Sequence, residues 1–174
     1  MADFMIIGLG NPGRHFRGNR HNAGYMLIDY LLEAYDASLN RSVSEALITE
    51  IEIDQQTVIL AKPQTYMNES GRSVASLVRA FKPELSTIMI AFDELDLDLG
   101  TLRMRPAGGS SGHRGMRSII NHLGTQEFPG LGLESVDRLA FSQQLITSYP
   151  TSAVVKRSLW LRCWIAPSGA FSDL

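Results

Sequence analysis

Cysteine is almost absent: the 174-residue chain has one, Cys163. That excludes an internal disulfide and any zinc site built on cysteine ligands. No apolar run approaches the ~18 residues that a membrane span needs. Residues 1–10 have neither a basic stretch before an apolar core nor a small-residue cleavage site, so we expect no signal peptide and a cytoplasmic protein. The G-x-S-x-G elbow that presents a nucleophilic serine is missing. A strong net charge is missing too, since 16 basic residues meet 18 acidic ones for a net −2. This argues against a protein that wraps nucleic acid over its whole surface. It does not exclude a local basic patch, because a field depends on how charge is distributed. Arg14, Arg17 and Arg20 crowd one loop, and Arg103, Arg105, Arg114 and Arg117 crowd another region. Acids such as Glu45, Glu50, Glu52 and Asp54 lie elsewhere.

What is present is ordinary for a globular chain: 44% apolar and 20% charged residues, at a length suited to one domain with a real core. Residues 4–10 form a short apolar run ending in Gly and Pro, which predicts a buried strand. Asn22 can cap a helix in which Ala23, Leu27, Tyr30, Leu31 and Ala34 recur at helical spacing. Residues 47–53 alternate, residues 54–56 suit a turn, and residues 57–61 suit a second strand, so a hairpin is expected. Val74, Leu77, Val78 and Phe81 share a helical face that Pro83 ends. Residues 87–92 read as a central strand stopping at Asp93, and residues 101–105 alternate. Residues 107–112 are a Gly/Ser loop, and Met116, Ile119, Ile120 and Leu123 predict a helix stopped by Gly124. Strands and helices alternate. The expected fold is therefore α/β, one domain over residues 1–174, with a mixed twisted sheet flanked by helices on both faces.

Gly8, Gly10 and Gly13 spell G-x-G-x-x-G directly after the first strand, which is the dinucleotide fingerprint. In that fingerprint a helix opens at the third glycine and an acid follows about 20 residues on, at the end of the second strand. Here Gly13 is followed by RHFRGNR, which has no apolar face, and Asp29 and Glu33 fall inside the helical pattern. The glycines are better read as a tight strand-to-loop turn that holds Asn11 at the strand's C-terminal edge.

In open α/β sheets, sites collect at the C-terminal ends of strands. Asn11, His21, Asn68 and Asp93 all follow such ends. A His–Asp pair is a minimal general base, and Asn amides can orient water or donate to an oxyanion. Without an activated nucleophile, direct attack of water on an ester is the natural reaction. Plainer readings stand beside this one. His21 can be a solvated residue at a helix start, and Asp93 part of an acidic turn. Asn68 can be a helix cap as well as a ligand. His113, in the Gly/Ser loop, reads as solvated, and that loop can be plain or can cradle a phosphate. A cation on Asp93, Glu94, Asp96 and Asp98 lacks the spacing of a calcium loop.

The stretches GLGNPG, RHNAGY, KPQTYMNESG, DELDLDLG and GHRGMRSIINHLGTQEFP resemble bacterial peptidyl-tRNA hydrolases in order and spacing over about residues 4–129. The resemblance implies hydrolysis of the ester between peptide and tRNA, recycling the tRNA, with no cofactor and no metal. It implies His21 as the base that activates water and Asp93 as its orienting carboxylate. Asn11 would discriminate N-blocked from free aminoacyl esters, and Asn68 would bind near the scissile bond. Phe16, Tyr66 and Arg114 would contact the tRNA. The partner would be peptidyl-tRNA, through its acceptor end and backbone phosphates, and the protein a monomer with no membrane role. Arg103, Arg105 and Arg117 are our own candidates for phosphate contacts.

Four features depart from the family pattern, one of them the loop GGSSGH, which differs from the commonest version. Phe16 stands where Tyr is common, and Arg114 replaces an Asn that could both donate and accept. Residues 130–174 lack the family's next strand motif and final helix. They read as an atypical segment, produced by a reading-frame change near codon 130, by a sequencing error, or by divergence. The competing functions are a non-catalytic RNA-binding relative of the same fold and a nucleotide-binding protein using the glycine loop.

Overall fold

The computed structural model describes residues 2–94, 97 and 102–133. β1 (Phe4–Gly8) leads through a loop to α1 (Ala23–Ala34), and β2 (Arg41–Val43), β3 (Ala46–Ile53) and β4 (Gln56–Pro63) follow. Next come α2 (Ser70–Phe81), β5 (Ile88–Asp93), β6 (Leu102–Arg105), α3 (Arg114–Leu123) and β7 (Gly130–Leu133). The strands form one sheet in the order β2-β3-β4-β1-β5-β7-β6. β4, β1, β5 and β7 run parallel, while β3 and β6 are antiparallel to them. This is the expected mixed α/β sheet.

The central strands are apolar on both faces because both are covered. Ile6, Leu60 and Met89 pack with Leu27, Ile28 and Leu31 of α1 on one side. Met5, Ile7, Ile59, Ile88 and Ile90 pack with Val74 and Leu77 of α2 and Met116 and Ile119 of α3 on the other. Each such side chain contributes about 2 kcal/mol by leaving water. The predicted hairpin is β3–β4, with Ile53 facing Gln56. Its two connecting residues, Asp54 and Gln55, both have positive φ, 49° and 68°, which matches the twist of tight hairpin loops. α3 ends at Gly124, in the left-handed region at φ 72°, as predicted.

Two strands were not legible. β2 is three residues long with two exposed, so it lacks an alternating pattern. β7 is the sequence Gly-Leu-Gly-Leu, buried throughout between β5 and β6, and glycine is depleted in strands. Sheet structure thus continues through residue 133. Residues 134–174 of the atypical segment, and Cys163, lie outside the described residues. No helix among the described residues is long and apolar enough to cross a membrane.

The glycine turn has a packing cause. A Cβ at Gly8 would drive into the Gly24 carbonyl and the Ile28 side chain, so α1 lies with its first turn directly against β1. Gly13 holds φ 110° where the loop turns. The same glycines that mimic a dinucleotide fingerprint therefore bring the helix start onto the strand end. We expect Gly8→Ala to destabilise the fold by at least the ~1–3 kcal/mol typical of overpacking, lowering the melting temperature by several degrees. An unchanged melting temperature in differential scanning calorimetry would refute the close-approach account.

Candidate active site

β1, β4 and β5 all end on one edge of the sheet, and each delivers a polar residue there. β5 ends in Asp93, whose side chain is 1% exposed. His21 Nδ1 lies 2.7 Å from Asp93 Oδ2, and His113 Nε2 lies 2.9 Å from Asp93 Oδ1. The backbone N–H of Met116 donates to His113 Nδ1 at 3.1 Å, so the His113 ring caps α3. A backbone N–H can only donate, so His113 Nδ1 is the acceptor and its proton sits on Nε2, facing the carboxylate. His113 is therefore not solvated, as its loop context suggested. It is a buried donor that fills one side of Asp93.

Burial pushes the Asp93 carboxyl up. Hydrogen bonding from His113, the attraction that His113 and His21 exert when protonated, and hydrogen bonding from His21 outweigh it, and the group ends below its ordinary value. His113 is the N-cap residue of α3, so the positive end of that helix lies on the side of this anion and favours it. With the carboxylate ionised, His21 Nδ1 carries a proton towards it. Nε2 is left with a free lone pair on a side chain that is 53% exposed. That is the arrangement of a solvent-facing general base.

His21, Asp93 and His113 could be taken for a metal site, since their ligand atoms lie within 4.8 Å of one another. The donor set does not fit one. A cation on His113 Nε2 would force the proton onto Nδ1, against the Met116 N–H that already donates there. The acidic-turn cation is no better supported. Asp93 is held by the histidines, and Glu94 points elsewhere, while Asp96 and Asp98 lie outside the described residues.

Asn11 sits in the loop after β1. The Met67 N–H donates to its Oδ1 at 2.8 Å, so its Nδ2 faces away as a donor. The same short turn, Met67–Glu69, carries Asn68, whose side chain is exposed and caps nothing: the N-cap position of α2 is Glu69. Tyr66, just before that turn, is 58% exposed. α3 closes the group, because a Cβ at Gly115 would lie 2.6 Å from Met67 Sδ and 3.0 Å from Leu9 Cδ1. Asn11, His21, Asp93, Asn68 and Tyr66 are thus gathered at one sheet edge. Phe16, half-buried in the turn Arg14–Phe16, and Arg114, exposed at the start of α3, make no described contact with the His21–Asp93 pair.

One expectation is corrected here, and the basic candidates Arg103 and Arg105 acquire a partner. Asn22 occupies the N-cap position of α1 but makes no capping bond; its amide is turned towards Asn11 instead. Arg103 and Arg105 are paired with Glu94, with 47% and 36% of their side chains exposed. Glu94, 4% exposed, takes Arg105 Nη2 at 2.5 Å and Arg103 Nη1 at 3.7 Å on its Oε1. Arg117 is exposed on α3. In the Gly/Ser loop, the N–H groups of Gly108 and His113 are already bound to Gln126 and Ser110 carbonyls, which weakens the phosphate-cradle reading.

The family model for peptidyl-tRNA hydrolase matches residues 5–134. A peptidyl-tRNA hydrolase from Desulforudis audaxviator is 48% identical over 125 residues, 72% of this chain and 64% of that one. A mitochondrial peptidyl-tRNA hydrolase from Oryza sativa is 45% identical over 132 residues, 75% of this chain and 53% of that one. The crystal structure of peptidyl-tRNA hydrolase from Acinetobacter baumannii superposes with a TM-score of 0.71 at 31% identity, covering 94% of this chain and 84% of that one. The chain belongs to the peptidyl-tRNA hydrolase family. It spans less than two thirds of the length of the first two of these relatives.

The lowered Asp93 pKa sets a pH dependence of stability. A depressed carboxylate contributes stability that is fully present above its unfolded value, about 3.9, and is lost as pH falls through the folded value. Urea denaturation should therefore find wild type more stable than Asp93→Asn at pH 7, with the difference shrinking below about pH 4. A gap that stays constant from pH 7 to pH 3 would contradict this.

Proposed function

We propose that this chain hydrolyses the ester that joins a peptide to the 3′-terminal ribose of tRNA. The observation that carries this is the exposed His21 Nε2 backed by an ionised, doubly anchored Asp93. His21 Nε2 takes a proton from water as the hydroxide attacks the ester carbonyl. Asp93 stabilises the imidazolium that forms. Collapse of the tetrahedral intermediate breaks the bond to the ribose oxygen, which receives the proton from His21. The products are the free peptide carboxylate and a tRNA with its terminal hydroxyl restored. The amides of Asn11 and Asn68 stand where they can donate to the substrate's carbonyl oxygens. An N-blocked substrate presents an amide carbonyl to Asn11 Nδ2. A free aminoacyl ester presents an ammonium, which can only donate, so the two donors oppose each other. Tyr66, exposed beside Asn68, supplies a face on which the terminal base can stack. No step needs a metal or an organic cofactor. Monomeric, cytoplasmic action belongs to the same proposal.

The decisive assay is hydrolysis of N-acetyl-aminoacyl-tRNA with a chelator present. Turnover should survive chelation and fall by about 10²–10⁴-fold in His21→Ala. Binding of tRNA by a folded wild type without turnover would favour the non-catalytic RNA-binding alternative.

Arg14 and Arg17 are both exposed in the loop that leads to His21. Arg17 also works on Lys62. Burial pushes that ammonium below its usual value, Asp29 raises it, and the Arg17 charge lowers it further. We expect Arg14 and Arg17 to meet backbone phosphates of the single-stranded 3′ end. Arg14→Gln/Arg17→Gln should raise KM and cut the slope of log KM against log salt by roughly 0.7 per lost contact. An unchanged slope would assign the phosphates to other residues.

A further inference from the structure

Asn22 is 2% exposed and stands where asparagine ordinarily caps a helix, yet it gives no cap bond to α1. Its amide is spent elsewhere. The Asn11 N–H donates to Asn22 Oδ1 at 2.9 Å, and Asn22 Nδ2 donates to the Asn11 carbonyl at 3.1 Å. One side chain thus satisfies both main-chain groups of Asn11, as a neighbouring strand would, at a point where β1 has already ended. A third bond, Met67 N–H to Asn11 Oδ1 at 2.8 Å, fixes the Asn11 rotamer and the sense of its amide. Backbone and side chain of Asn11 are then both held, and its Nδ2 is its one hydrogen-bonding group without a partner among the described residues. Asn22 also follows His21 directly in the turn Arg20–Asn22. A single turn therefore carries the base and clamps the amide that faces the substrate.

We propose that Asn22 is a positioning residue. It sets the distance and aim of Asn11 Nδ2 relative to His21, and through Asn11 it governs the preference for N-blocked over free aminoacyl esters. The inference rests on the hydrolase reading above. A misplaced donor loses discrimination before it loses binding, because a site's selectivity depends on polar groups left unpaired by the wrong substrate.

The test is a double-mutant cycle read by selectivity, the ratio of kcat/KM for N-acetyl-aminoacyl-tRNA to that for aminoacyl-tRNA. Asn22→Ala should lower the ratio about tenfold, with KM for the N-acetyl substrate changed less than about twofold. In an Asn11→Ala background the same substitution should change the ratio by less than about twofold, since the two residues act as one unit. Asn22→Asp is the second variant. It keeps the side-chain shape and the acceptor for the Asn11 N–H, but sets an oxygen against the Asn11 carbonyl. Assayed on the high-pH plateau, where a charge beside His21 no longer alters the fraction of free base, it should lower the ratio in the same direction. Amide hydrogen exchange gives a reading without turnover: Asn11 N–H should be protected in wild type and lose protection in Asn22→Ala. Unchanged selectivity in a folded Asn22→Asp, or equal losses with and without Asn11, overturns the inference alone. A folded wild type that binds tRNA with no turnover overturns the hydrolase reading and the role given to Asn22 together.

Discussion

The site depends on keeping one buried carboxylate charged. Asp93 lies at the end of the central strand β5, where desolvation works against its negative charge. An isolated carboxylate there would take up a proton and cease to orient anything. Two ring N–H groups prevent that. Much of the fold can be read as the means of bringing them together. Parallel β1 and β5 lie side by side, α1 starts hard against β1, and α3 starts with His113 folded back as its own cap.

The carboxylates of Asp93 and Glu94 are consecutive in sequence and divide the chemistry between them. Asp93 binds the histidines, while Glu94 pairs with Arg103 and Arg105 beside Gly132. The pairing of Glu94 with two arginines offsets its burial. Alternation along an extended backbone sends neighbouring side chains to opposite faces, so one backbone step separates the histidine-bound carboxylate from an ionic network.

The sequence made the α/β class, the hairpin, the three helices and the gathering of Asn11, His21, Asn68 and Asp93 at strand ends legible. Apolar runs, caps and breakers carry their meaning locally. β7 is hidden because a Gly-Leu-Gly-Leu segment has no β-branched residues and no polar face, half of it is glycine, and its burial comes from strands distant in sequence. His113 was misjudged for a related reason. A histidine in a Gly/Ser loop looks solvated until its cap bond to Met116 and its bond to Asp93, 20 residues away, are both visible. Asn22 was read as a cap from its place before a helix, and only the loop after β1 explains why its amide turns away. Local pattern located the groups, while the contacts that fix their protonation and aim are long-range.

The position of β1 has a consequence for how the chain is made. β1 is synthesised first but sits at the centre of the sheet, pairing Phe4 with Val58 and Met5 with Ile88. At ribosomal rates of about 5–20 residues per second, those partners arrive roughly 3–17 s later. During that interval the apolar segment Phe-Met-Ile-Ile has α1 to pack on but no native strand partner. Parallel pairing across such separations is slow to nucleate, because loop closure must come before any contact rewards it. A nascent chain of this design stays exposed to misassembly until β5 has emerged.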